Sequence, residues 1–203
     1  NKLILFFIAM VKLVGYLTFY KVGVVHIHMS SRGSYKRKSL IVRVAKLFST
    51  KVILHLHGAE FKEFYTNECN VAEQQHVRKT FDLVDVVIVL STQWNKWIRT
   101  IMLYPEKAQV VYNAVEILEL DRSSIEQGRI LFLGRLGDRK GVKDLINAFA
   151  IVVKAIPSAR LALGGDGDIK TYMQQVKILD IEASVDFLGW VAGSTKNEWL
   201  SKA

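Results

Sequence analysis

Arg135, Arg139 and Lys140 crowd into six positions of the stretch "LFLGRLGDRKGVKDL", residues 131–145. An apolar run ends at Gly134, and a helical pattern starts after Gly141. A helix N-terminus carries free N–H groups and partial positive charge. Cations placed there oppose the dipole, so they do little for the helix itself. They do make an anion site. Arg clamps an oxyanion with two parallel bonds, and Lys acts as a mobile point charge. The ligand implied is a phosphate or diphosphate. The stretch is not a Walker loop, because "GRLGDRKG" lacks the Gly-Lys-Ser/Thr ending.

Two further turns follow strand-like runs. "GGDG", residues 164–167, brings Gly164, and glycines let a ligand approach the backbone closely. It is not the dinucleotide fingerprint, since Asp166 intervenes and Lys170 stands where the last glycine belongs. "LGWVAG", residues 188–193, ends a strand at Gly189. Trp190 and Val191 there could flank a flat ring, or pack a domain edge.

The histidines are the other reactive group. His26 and His28 end one strand-like run, and His55 and His57 end the next. Residues two apart share a face of a strand, so the four imidazoles could gather at neighbouring strand ends. Zinc would accept such ligands. No Asp or Glu lies within either motif, however, and the strands read as buried, so no metal is expected. A single working histidine at the mouth, His57 before Gly58, is the better reading. It could donate to, or take a proton from, a substrate hydroxyl.

Alternating elements must position these residues. Strands are expected at 22–28, 51–57, 85–90, 108–113, 129–133, 160–165 and 184–189. Helices are expected at 37–48, 73–84, 92–103, 142–156, 169–180 and from 194 on. Ser91 can cap the helix that starts at Thr92. Val142, Leu145, Ile146, Phe149, Val153 and Ile156 form one apolar stripe. Short apolar strands alternating with helices imply parallel sheets, and such sheets bind ligands at the carboxyl ends of their strands. The polar stretch 116–128 breaks the rhythm, which implies two units.

Composition sets outer bounds. The 203 residues are half hydrophobic, ample for a core. Cys69 is the one cysteine, so no intramolecular disulfide forms and a reducing compartment is expected. The net charge is +9, and residues 1–60 hold ten Lys/Arg against Glu60 alone. Such a surface suits phosphorylated ligands or anionic lipid. The basic run "SYKRKS" has neither zinc-finger spacing nor an RNA-binding aromatic signature, which argues against nucleic acid. Residues 3–20 are apolar nearly all round and sit at the lower limit for a membrane span. A buried or membrane-leaning helix is expected there rather than a true span.

In order along the chain, "VVHIHMSSRGS", "VILHLHGAEF", "VIVLSTQW", "VVYNAVE", "ILFLGRLGDRKGVKDLINAF", "LALGGDG" and "VDFLGWV" resemble retaining glycosyltransferases of the group 1, or family 4, type. The resemblance runs from about residue 22 to the end. It implies an α/β fold of two Rossmann-like parallel-sheet domains facing a cleft, the GT-B fold, with both domains incomplete. Residues 1–117 would form the acceptor-side domain, 118–128 a linker, and 129–203 the nucleotide-sugar domain. By position, Arg135 and Lys140 would hold the donor diphosphate. Gly134, Gly164, Gly189 and Val191 would line the nucleotide. His57 would stand near the acceptor and the reacting sugar, with Ser30, Arg32 and Gly58 on the acceptor side.

The resemblance further implies a nucleotide-diphosphate-sugar donor, a glycan or lipid-linked acceptor, and no metal or other cofactor. A role in polysaccharide biosynthesis would place the protein in the cytoplasm, or peripherally on the inner face of the membrane. The family's first strand and glycine-rich turn, and its later Glu-x7-Glu region, have no counterpart here. An internal fragment with little transferase activity of its own is therefore expected. Two alternatives remain at this point. A GT-B sugar-nucleotide epimerase would share the phosphate site but need catalytic carboxylates. A basic membrane- or nucleic-acid-binding module would need no catalysis.

Overall fold

The computed structural model describes residues 2–117 and 122–203, so part of the linker expected over 118–128 lies outside the described residues. The chain divides into two compact units, Asn1–Val115 and Glu116–Ala203.

The first unit runs α1 (Lys2–Phe19), β1 (Val24–Met29), α2 (Gly33–Leu47), β2 (Lys51–Leu56), α3 (Phe61–Glu63), α4 (Val71–Leu83), β3 (Val86–Val89), α5 (Thr92–Arg99) and β4 (Ala108–Val110). Its four strands are all parallel and lie in the order β1-β2-β3-β4. Right-handed crossovers between strands in sequential order put every connection on one face of the sheet. That face holds the core: Ile27, Met29, Val52, Leu54, Leu56, Val87 and Val89 pack with Val42, Val77, Phe81 and Ile98 from the helices. His26, His28 and Val24 point the other way and are exposed.

The helix starts have local causes. Asn70 and Glu73 form a reciprocal capping box, with Glu73 N–H to Asn70 Oδ1 at 3.0 Å and Asn70 N–H to Glu73 Oε2 at 3.1 Å. This starts α4 two residues earlier than its apolar pattern does. The Ser91 hydroxyl accepts from Trp94 N–H at 3.2 Å, as expected of a cap. Asp85 locks α2 to the sheet by accepting from Lys46 at 2.9 Å and Val52 N–H at 2.8 Å. Burial pushes the Asp85 carboxyl up, but these donors and Lys51 outweigh it and hold it down at about 2.

The expected strand at 108–113 is shorter, stopping at Val110, and the expected helix at 92–103 stops at Arg99. Residues 61–68 were not expected as helix at all: α3 runs on into a π-helical turn, Phe64–Glu68. Phe61, Phe64 and Tyr65 are buried there. The apolar helix expected at 3–20 forms as α1 and packs beside α2, but it is not a buried helix. Leu17 is buried, while Phe7, Val11 and Phe19 are exposed. Among the described residues no helix is long and apolar enough to cross a membrane.

The second unit runs β5 (Arg129–Leu133), α6 (Val142–Ala155), β6 (Arg160–Gly164), α7 (Ile169–Ile178), β7 (Val185–Gly189) and α8 (Gly193–Lys202). Its parallel sheet has the order β5-β6-β7. Val142, Ile146 and Phe149 of the expected stripe are buried, with Leu145 and Val153 packed against them. Ile156 falls past the end of α6 and is 51% exposed.

Candidate functional site

In the second unit the three loops after the strands are drawn together by backbone contacts. Gly134 N–H donates to Gly164 O at 2.9 Å, Leu136 N–H to Asp166 O at 2.6 Å, and Gly165 N–H to Gly189 O at 2.7 Å. This closeness requires glycine. A Cβ on Gly165, at φ 145°, would lie 1.9 Å from Gly134 O, and one on Gly167, at φ 119°, would lie 2.1 Å from Leu136 O. Gly164 itself faces Val191, whose Cγ2 would be 3.1 Å from an added Cβ. Gly134, Gly164, Gly189 and Val191 therefore gather at one edge of one sheet. Sequence reading singled out Gly164 but not Gly165 or Gly167, because only the folded loops show which glycine another backbone presses on.

Leu136 is buried and anchors the turn. Asp138 ties it down further by accepting from the Tyr172 hydroxyl of α7 at 3.0 Å. Burial, then Asp138, pushes the Tyr172 phenol up. Gly141 takes a left-handed φ of 71° just before α6. On this fixed turn the Arg135 and Lys140 side chains are exposed, and neither makes a hydrogen bond or ion pair among the described residues. Two cations held beside a helix start with no partner among the described residues are suited to an oxyanion.

In the first unit the expected histidines do come together. His28 stands opposite His55 in the parallel register. His26 and His55 stack at 5.4 Å and His55 and His57 lie at 4.0 Å. His28 Nδ1 and His57 Nε2 are 2.7 Å apart, and His26 Nε2 and His55 Nδ1 are 3.3 Å apart. His26, His28 and His55 offer nitrogens within 4.8 Å of one another, a spacing that a divalent ion could use, although no carboxylate joins them. Nε2 of His55 is buried and has no hydrogen-bond partner among the described residues. Burial, then the neighbouring imidazoles, pulls His55 down to about 4 and also lowers His57. Both are neutral at pH 7, the form in which an imidazole can take a proton.

His57, His28, Met29, Ser30 and Ser34 line a shallow cavity of about 390 Å³. Gly58 presses on Ser30, whose Oγ would lie 2.9 Å from an added Cβ. Ser30, His57 and Gly58 thus sit together. Arg32 is placed differently. Its guanidinium is held by Glu60 and by Glu68, with Nε at 2.9 Å from Glu68 Oε2. These carboxylates raise its already high basicity. Arg32 also adopts φ 54°, unusual for a residue other than glycine. Sequence reading found Arg32 but not its partners, since Glu68 comes from the π-helical turn.

Two units, each with a parallel sheet and with its candidate residues on loops at the carboxyl ends of the strands, give the α/β architecture of the GT-B fold. Comparison with known proteins agrees. Residues 127–203 match the family described as "Glycosyl transferases group 1". Two curated relatives are uncharacterized glycosyltransferases of Methanocaldococcus jannaschii. MJ1607 is 28% identical over 68% of this chain and 40% of its own length, and MJ1059 is 32% identical over 73% and 41%. The chain thus spans about two fifths of the length of the curated relatives it matches. The crystal structure of Anabaena Alr3699/HepE in complex with UDP shares the fold, with a TM-score of 0.68, 19% identity, and coverage of 90% of this chain and 51% of that one. The chain is a relative of the group 1 glycosyltransferases.

Proposed function

We propose that the chain is part of an enzyme that moves a sugar, with retention, from a nucleotide-diphosphate-sugar to a glycan or glycolipid acceptor in polysaccharide biosynthesis. The observation that carries this is the turn 134–141, where Arg135 and Lys140 have no partner among the described residues and stand on a backbone locked by Gly165 and Gly167. In this reading they grip the donor diphosphate and offset charge as the glycosidic bond breaks, so no metal is needed. Gly134, Gly164, Gly189 and Val191 line the nucleoside. His57, kept neutral, meets an acceptor hydroxyl beside Ser30 and Gly58. Arg32 belongs to the acceptor side as the residue that braces these loops. A peripheral seat on the cytoplasmic face of the membrane is supported by the exposed apolar side chains of α1 beside the basic α2.

The test is product analysis with the complete enzyme that carries this chain, given UDP-sugars labelled in the sugar together with glycan and lipid-linked acceptors. Transfer with the anomeric configuration kept is the expected result. Conversion of one UDP-sugar into its epimer without transfer would replace this reading with the epimerase one.

A further inference from the structure

A second cavity opens in the first unit, next to His57 in sequence but lined by other residues. It holds about 180 Å³ and is walled by Ala59, Lys62, Gln93, Trp94 and Trp97. Ala59 and Lys62 follow β2, and the other three lie on α5, which follows β3. The cavity therefore sits at the carboxyl ends of two neighbouring parallel strands, where such sheets take ligands.

Its walls are rigid and its polar groups are unspent. Trp97 packs edge-on to Tyr65 at 5.8 Å and to Phe61 at 6.4 Å, and Trp94 stands edge-on to Trp97 at 5.3 Å. The Ser91 cap fixes the backbone under Trp94. Both indoles are only half-buried. The two indole N–H groups, the Lys62 ammonium and the Gln93 amide make no hydrogen bond or ion pair among the described residues. The volume is below the ~300–1,000 Å³ of pockets for drug-sized ligands, which leaves room for one small ring.

A pyranose matches this chemistry. Its C–H face is weakly positive and apolar, suited to the negative face of an indole. Its hydroxyls need donors and acceptors around the ring edge, which Lys62, Gln93 and the indole N–H groups supply. A bare hydrocarbon would use none of those groups, and a nucleotide would not fit in about 180 Å³.

We propose that Trp94 and Trp97, with Lys62 and Gln93, form the subsite that holds a sugar ring of the acceptor. This rests on the reading of the first unit as the acceptor side of a glycosyltransferase. The test follows the indole N–H resonances of the 15N-labelled chain by NMR. The chain is titrated with methyl glycosides of glucose, galactose, N-acetylglucosamine and glucuronic acid, and separately with UDP.

At least one glycoside is expected to move the Trp94 and Trp97 signals with saturation, at a dissociation constant on the order of 1–50 mM for one ring. The signals of Trp190 and Trp199 should stay in place. Trp94→Ala and the milder Gln93→Ala should each weaken that response about tenfold or more, while unchanged amide signals of β1 and β2 report an intact first unit. No movement up to about 200 mM glycoside, or an undiminished response in both variants, would overturn the subsite. If UDP binds and the glycosides do not, the subsite alone falls. If the glycosides bind and UDP does not, the donor reading falls and the subsite stands.

Discussion

The two units place arginine after a parallel strand in opposite ways. In the first, Arg32 follows β1 and its guanidinium is held by Glu60 and Glu68. In the second, Arg135 follows β5 and meets no acceptor among the described residues, nor does Lys140. A cation already matched by two carboxylates has its charge spent on joining loops. A cation exposed on a rigid turn keeps its bonding capacity for a ligand. The contrast is the ground for proposing the anion site in the second unit, although the first carries the denser positive charge. Net charge shows which partners a surface tolerates, whereas unpaired charge on a fixed backbone shows where one binds.

The largest effect should come from the backbone under the free cations. Gly165→Ala forces a Cβ against Gly134 O at a φ of 145°, and should destabilise the second unit by roughly 4 kcal/mol or more. Gly137→Ala meets nothing within 4 Å and should change stability by about 0.5 kcal/mol at most. Urea unfolding of both variants checks the pair, and equal midpoints would remove the argument for a locked turn.

Next in size is an acid response confined to the first unit, which holds all five histidines. His55 is pulled from 6.5 to about 4 in the folded chain. The unfolded chain therefore takes up the proton first, and stability is lost as pH falls from 6.5 toward 4. At ~1.4 kcal/mol per unit the loss from His55 is on the order of 3 kcal/mol. Amide hydrogen exchange at pH 7 and pH 4.5 should show β1 and β2 losing protection that β5 and β6 keep.

The smallest effect sharpens the comparison most. Arg32→Ala frees Glu60 and Glu68 and loosens the loops around Ser30 and Gly58. It should leave UDP affinity within twofold of the unaltered chain. A fall of about tenfold or more would mean that the first unit contributes to the nucleotide site after all.

Most of this architecture is legible in the residues. Seven short apolar runs gave strands in place, and β5 matches its expected bounds of 129–133. Gly134 through Gly141 read as an anion-binding turn because cations at a helix start have no structural reason to be there. Other features depend on contacts distant in sequence. "AEFKEFYTNECN" spaces Phe61, Phe64 and Tyr65 at i, i+3 and i+4, a helical period of barely one turn, and its π-helical turn is held by those three side chains filling the core. Trp94 and Trp97 read as part of a helix, and only the fold leaves a cavity between them and Lys62. The bond between His28 and His57 likewise needs the register of β1 and β2.

The central claim is that Arg135 and Lys140 bind the diphosphate of a nucleotide. Calorimetric titration of UDP into the chain and into its Arg135→Ala and Lys140→Ala variants tests it most directly. Saturable binding is predicted, falling about 10- to 100-fold in each variant as charge-assisted bonds to phosphate are lost. UDP binding that is indifferent to both substitutions would contradict it.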